Sequence, residues 1–399
     1  LADAGPRADD RAVVVAARRT PIATAGQRLA HVDAAALAAT TLRAVRADAG
    51  EAIGAEIPVV DVVIGNCMGP GGNTARVAAL DAGLGVEVPG MTIDRQCGSG
   101  LAAIITAARL LGGPREMVLA GGTESASTAP IRVPRDSATG EGYSRAAFAP
   151  SGYPDPDMGP AAQELGRIRG IDRARQDAYA LRSHERALAA ATAGRFAAEI
   201  VATAGMERDD GPRRMTAAML SRFAPVFAGS GARRDDDVAH TVTAGNSCRI
   251  SDGAAAVALV AESARGSAPG LVLLSSATIG CDPALPGLGP VAAVNAALRR
   301  AGITLADIAA IEIVEAFAAQ VLAVTDELGL SADAHVDERI CPDGGALALG
   351  HPWGASGAIG VVRLFSLLVR GGAPAGTLGL STAAVGGGMG VAAVFEVVR

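Results

Sequence analysis

The 399-residue sequence contains no lysine: all 35 of its basic residues are arginine. That absence reads as compositional bias more than as function. Aromatic side chains are almost as scarce, 3% of the chain with one tryptophan and three tyrosines. The core must therefore be built from Ala, Val, Leu and Ile, with backbones packed close together. Cysteine is sparse too. Cys67, Cys97, Cys248, Cys281 and Cys341 are odd in number, widely separated and without CxxC spacing, which argues against a disulfide framework or a zinc site. No metal is expected. An excess of positive charge is also lacking: at a net charge of −6 the chain has no general attraction for nucleic acid or an anionic membrane surface. No apolar run reads as reaching the ~18 residues of a membrane span, and no basic-then-apolar signal pattern opens the sequence. The expectation is a cytoplasmic protein with neither nucleic-acid nor membrane partners.

What is present is apolar and rich in turns. Half of the residues are hydrophobic, with 51 glycines and 21 prolines. The length suits two or three domains, or one large two-fold assembly. Short β-branched runs at 12–21, 59–67 and 116–125 end in turn residues and alternate with helix-like Ala/Leu segments at 33–48 and 100–111. This pattern predicts parallel strands with helices on the sheet faces. A second set of strands, at 270–280, 308–318 and 377–388, echoes the first. The closest echo is between "CGSGLAAIITAARLL" (97–111) and "GASGAIGVVRLFSLL" (354–368), so two related halves are the economical reading. Between them, residues 126–157 are polar and rich in Pro and Gly, 158–200 read as two helices, and 232–240 form a charge run. Together these suggest an inserted surface segment that covers a site.

Three short stretches carry chemistry. Cys97, in "DRQCGSGLAAI", lies at the entrance of a predicted helix, where unpaired N–H groups and the macrodipole favour a thiolate. The glycines beside it let another group approach. His351, in "CPDGGALALGHPWGASG", precedes the echoing helix. With both helix entrances facing the middle of a two-fold assembly, Cys97 and His351 would meet as a nucleophile and its base, forming an ion couple once the thiol proton has moved. The glycines of "AAVGGGMG" (383–390) can converge backbone N–H groups on an anion. His31, His184, His240 and His335 sit in polar or helical contexts and receive no role.

Taken together these stretches resemble the thiolase family, and the resemblance runs over nearly the whole chain. It also includes "ARRTPIATAGQRLAHV", "VLAGGTESAS", "TAGNSCRISDGAAA" (243–256) and "VEAFAAQ" (314–320). It implies an α/β fold of five layers, αβαβα, made of an N-terminal half (1–121, completed by about 249–268), a loop domain over the active site (122–248) and a C-terminal half (269–399). It further implies an enzyme, an acyltransferase in which Cys97 becomes acylated by an acyl-CoA or carrier-protein thioester and His351 activates it. Cys97 N–H and Gly386 N–H would hold the oxyanion. Ser247, Cys248, Arg249 and Phe317 would contact the substrate, and the protein would be a homodimer or homotetramer. Coenzyme A enters only as the substrate's thioester; no further cofactor is implied.

The chain departs from the family pattern where a second cysteine and an asparagine are found, positions that here are Ala384 and Val314. Those residues serve carbon–carbon bond formation, one moving the α-carbon proton and the other holding a water at the enolate. The expectation is therefore acyl transfer from Cys97 to a non-carbon acceptor. Two alternatives stand beside it: conventional Claisen condensation and thiolysis, with Cys341 or Glu315 replacing the lost acid/base, and a non-catalytic acyl-CoA-binding scaffold.

Overall fold

A computed structural model describes residues 10–137, 139–227, 241–332 and 335–399. The charge run at 232–240, His240 included, falls outside the described residues. Among the described residues ten strands make one sheet, nine of them in a single path: β1 (Ala12–Arg19), β2 (Val59–Gly65), β3 (Met91–Ile93), β4 (Met117–Ser125), β5 (Ser251–Ala261), β6 (Gly270–Gly280), β7 (Ile308–Ile313), β8 (Leu378–Val385) and β9 (Met389–Val398). Their order is β3-β2-β4-β5-β1-β6-β9-β8-β7, with the short pair Ala23–Thr24 added on β5. Read outward from the centre, the halves match. β1 and β6 meet antiparallel, β5 and β9 flank them antiparallel, and β4 and β8 follow, each parallel to the next strand outward. The sequence echo between the halves is thus an echo of topology.

Helices α1 (Ala34–Ile53) and α2 (Thr74–Asp81) cover the outer face of the first half, and α6 (Gly289–Ala301) and α7 (Ala318–Glu327) that of the second. Between the half-sheets lie α3 (Ser99–Leu110) and α8 (Trp353–Leu364), which touch each other and strands of both halves. This is the five-layered α/β arrangement that the resemblance implies. The centre can be this thin because its side chains are small. A Cβ on Gly100 would lie 2.8 Å from Ala358 N, and one on Gly357 would lie 2.7 Å from Leu101 N. No larger residue fits at either crossing point, so glycine at both positions sets how closely α3 and α8 approach.

The six strands expected from the sequence are present near their expected places, but β3, β9 and β5 have no counterpart in that reading, and of these the clearest case is β5. Its run "SDGAAAVALVA" is buried along its entire length, and a fully buried alanine-rich strand has no period by which to recognise it. A second difference lies in α8. With its π-type continuation Phe365–Arg370 it forms an 18-residue stretch apolar enough to cross a membrane, contrary to the reading that no such run exists, and 72% of it is buried inside the protein. Its apolarity follows from its place between two sheets.

The segment between β4 and β5 supplies α4 (Met158–Ile168) and α5 (Arg173–Thr192), the two helices expected in 158–200. They pack on α7, and α5 also packs on the short helix Ala346–Leu349 that leads to His351. A buried ionic cluster ties the segment to both halves. Arg19 of β1 and Arg363 of α8 both donate to Glu199; Arg19 also pairs with Asp209, and Arg363 with Asp343. The ring of Phe196 lies within 5.3 Å of both guanidinium carbons.

Candidate active site

Cys97 sits in a tight turn, Gln96–Gly98, that runs directly into α3. Gln96 adopts a left-handed conformation, φ 44°, unusual for a residue with a side chain and characteristic of functional turns. Its neighbours hold it there. Asp94 Oδ1 accepts from Gln96 N–H at 2.8 Å, Ser99 Oγ accepts from Arg95 N–H at 2.7 Å, and the Ser99 hydroxyl donates to Gln96 O at 2.7 Å. A Cβ on Gly98 would meet Val385 and Val391, each at 2.8 Å. The glycine thus lets the cysteine turn press against the end of β8, one residue before Gly386.

His351 arrives from the other half. Its N–H donates to Arg249 O at 3.0 Å, which pairs the segment before β5 with the Gly-His-Pro turn. The preceding Gly350 has φ 114°, and a Cβ there would lie 2.4 Å from Ser251 Oγ. His351 is buried, with Nε2 3.3 Å from Cys97 Sγ and Nδ1 2.6 Å from Ser356 Oγ. Ser356 Oγ also lies 3.0 Å from Pro352 O. When the hydroxyl donates to that carbonyl it accepts from Nδ1–H, the tautomer that reaction at Cys97 requires. Nε2 is then the free base facing the thiol. Ser356 is the serine of the repeated small-Ser-Gly pattern; the sequence shows the pattern but not the contact. Replacing it with alanine is expected to slow acylation of Cys97 roughly 10- to 100-fold while leaving donor affinity nearly unchanged, a split that single-turnover kinetics would resolve.

Burial sets the resting charges. It pushes the Cys97 thiol up to about 12 and the His351 imidazole down to about 4. Without ligand the two are a neutral thiol and a neutral imidazole, and the proton moves when the sulfur attacks. The thiolate favoured by the helix-entrance argument is outweighed here by desolvation.

Glu124, at the end of β4, was not singled out by the sequence. Its carboxylate accepts from the N–H groups of Cys67, Met68 and Gly354 and from Asn66 Nδ2. It joins the start of α8 to the turn after β2, and burial raises it to about 7. Cys67 donates to Gln96 O at 3.0 Å, so it lies beneath the nucleophile turn.

The other expected contacts separate. Ser247 pairs with Phe317 through the backbone, and its hydroxyl is spent on Thr243 O at 2.7 Å. The Cys248 N–H donates to Ala316 O at 2.9 Å. Burial first, with the charge of nearby Cys97 second, pushes the Cys248 thiol up to about 12. Arg249 points away from this region: its terminal nitrogens donate to Gly211 O and Ala348 O. It acts as a brace behind the histidine turn. Phe317 packs with Ala162, Val242 and Ala319. Val314 and Ala384 lie on neighbouring strand ends, since Ile313 of β7 pairs with Thr382 of β8. The proposed replacements are engaged elsewhere. Glu315 accepts from Tyr179, Ser183 and Leu347 N–H, and the buried Cys341 thiol faces Ile313 O. His184 accepts from Arg213 N–H, and His31 and His335 are exposed. Among the described residues no group of three or more His, Cys, Asp or Glu is placed to hold a metal ion.

Comparison with known proteins agrees with this arrangement. Residues 12–263 match the family description "Thiolase, N-terminal domain" and residues 269–397 match "Thiolase, C-terminal domain". A Staphylococcus haemolyticus protein, provisionally named acetyl-CoA C-acetyltransferase VraB, is 39% identical over 96% of this chain and 98% of its own. A 3-ketoacyl-CoA thiolase of Cronobacter sakazakii is 39% identical over 97% of this chain and 99% of its own. The crystal structure of Bacillus anthracis acetyl-CoA acetyltransferase superposes with a TM-score of 0.85 at 34% identity, covering 98% of this chain and 99% of that one. With both halves matched, a shared fold and relatives spanning its whole length, this chain belongs to the thiolase family, whose acyltransferase chemistry accounts for a cysteine and a histidine meeting between two half-sheets.

Proposed function

We propose that Cys97 takes an acyl group from an acyl-CoA or other acyl thioester and passes it to a non-carbon acceptor: an amine, an alcohol, a carrier thiol or water. The observation that carries the acyl-transfer step is the 3.3 Å approach of Cys97 Sγ to His351 Nε2, with Ser356 Oγ beside Nδ1. His351 removes the thiol proton as sulfur attacks the thioester carbon. The amides of Cys97 and Gly386 receive the developing oxyanion, and the coenzyme A thiolate leaves with the proton from His351. In the second step His351 deprotonates the acceptor. None of these steps removes a proton from carbon, so none calls on the functions missing at Ala384 and Val314.

A second reading is conventional C-acyl transfer, the activity named for the relatives. One observation favours it. Cys248 is a thiol beside Cys97 in the segment that pairs with both Phe317 and His351, whereas Cys341 and Glu315 are engaged elsewhere. The two readings share the first half-reaction and part at the second.

Intact-mass spectrometry after mixing with acetyl-CoA should show one acetyl group, mapped to Cys97 by peptide analysis. Hydroxylamine and simple thiols should then discharge it. Absence of an adduct with every thioester tried would defeat both readings and leave the binding scaffold.

Self-association is part of this proposal. Strand β3 ends the sheet with an open ladder, and Val77, Leu80, Val86 and Met91 around it are exposed, an edge that a second copy would cover. Five unpaired cysteines support a reducing compartment, the cytoplasm.

A further inference from the structure

We infer that Phe148 forms the wall that limits the acyl group on Cys97 to short chains, about two to four carbons. This deepens the acyl-Cys97 reading and rests on it. The segment 126–157 is polar and rich in turns, yet it delivers one aromatic ring to the turn after β8. A Cβ on Gly386 would lie 2.6 Å from the Phe148 ring, and one on Gly387 would lie 3.0 Å from the Phe148 carbonyl. The ring is therefore in van der Waals contact with the residue whose N–H is assigned to the oxyanion. Once the thioester carbon is bonded to Cys97 Sγ and its oxygen faces that amide, the first carbons of the chain leave beside Gly386 and meet the ring.

The wall is braced. The Arg145 guanidinium stacks 4.1 Å from the Phe148 ring centroid. Arg145 pairs with Asp155 at 2.5 Å and with Asp157 at 3.2 Å. Asp155 also accepts from Phe148 N–H at 3.3 Å, and Asp157 lies at the N-cap of α4. Backbone, ring and ion pairs thus hold one another, so the ring does not simply swing aside for a longer chain. In a core this poor in aromatics, one ring placed against the oxyanion turn is a specific use of bulk.

The experiment compares acylation of Cys97 by acetyl-, butyryl- and octanoyl-CoA, followed by intact mass under single-turnover conditions, in wild type, Phe148→Leu and Phe148→Ala. Wild type is expected to acylate with octanoyl-CoA at least about tenfold more slowly than with acetyl-CoA. Phe148→Ala should raise the octanoyl-to-acetyl ratio by about tenfold or more, with Phe148→Leu intermediate. Unchanged thermal unfolding would show that the variants fold. A ratio that does not move, with acylation intact, overturns the wall and leaves the acyl-enzyme reading standing. Equal wild-type rates for all three donors overturn it as well. Failure of every donor to acylate wild type overturns both.

Discussion

The double variant Val314→Asn, Ala384→Cys is expected to accelerate thiolysis of a short 3-ketoacyl thioester by at least about 10²-fold over wild type. The argument starts from strand register. Thr382 pairs with Ile313, and Val314 N–H donates to Thr382 O at 3.0 Å. Residues 314 and 384 therefore stand one and two positions beyond the same rung, at the C-terminal ends of two parallel strands, where open α/β sheets place their ligands. Both are small apolar residues, buried to within 8%. Neither an alanine nor a valine side chain can move a proton or polarise an enolate. A positioned acid/base contributes roughly 10²–10⁴-fold and an oxyanion donor roughly 10²–10³-fold. Such contributions overlap when they serve one step, so the lower end is the expectation, with each single variant recovering less. Acylation of Cys97 should change less than thiolysis, because neither substitution removes Cys97, His351 or the Gly386 amide. Wild-type thiolysis already within about tenfold of the double variant would overturn the non-carbon reading and turn attention to Cys248; Cys248→Ala would then be expected to abolish it.

Much of this site is written in local sequence, and the rest is not. Cys97 and His351 are legible because each sits in a glycine-rich turn before a helix, and because the two helices echo each other across the chain. The echo gave the meeting point, since helices in matching places of two joined half-sheets must start near the same axis. Ser356 belongs to that echo, but its grip on Nδ1 depends on the rotamer and on Pro352 O, which only the folded turn provides. Arg249 reads as a charge beside a substrate segment; the direction of its side chain, toward two backbone carbonyls, is a tertiary fact. Glu124 gathers partners from residues 66 to 354, so no window of sequence contains its role. Phe148 lies in a segment legible as a cover but carries no periodic signal of its own. The resting charge of the catalytic pair was also hidden, because it follows from burial.

The buried carboxylates give the sharpest thermodynamic contrast. Glu199→Gln is expected to cost about 3–5 kcal/mol at pH 8, whereas Glu312→Gln should leave the protein at least as stable as wild type there. Glu199 lies between Arg19 and Arg363 and also accepts from Ser366 at 2.6 Å. Burial alone would raise it, but Arg363 and Arg19 hold it below the usual carboxylate range. Its contribution is therefore present above the unfolded carboxylate's range and is lost as pH falls through the folded value, so the Gln variant's deficit should shrink in acid. Glu312 is the opposite case. Its Oε1 makes no hydrogen bond within the described protein, as is also true of Arg363 Nε, and both residues line a cavity of about 30 Å³ together with Val314, Gly345 and Ser356. That volume suits one or two waters. Burial pushes Glu312 well above the usual range, so the folded protein holds its proton where the unfolded chain releases it. This residue favours unfolding increasingly as pH rises through the unfolded carboxylate's range toward the folded value. Glutamine removes that pH-dependent penalty, so its advantage over wild type should grow from pH 5 to pH 8, as chemical denaturation at several pH values would measure. Equal destabilisation by the two substitutions at pH 8, with both deficits shrinking in acid, would mean that Glu312 is ionised and paired in the fold.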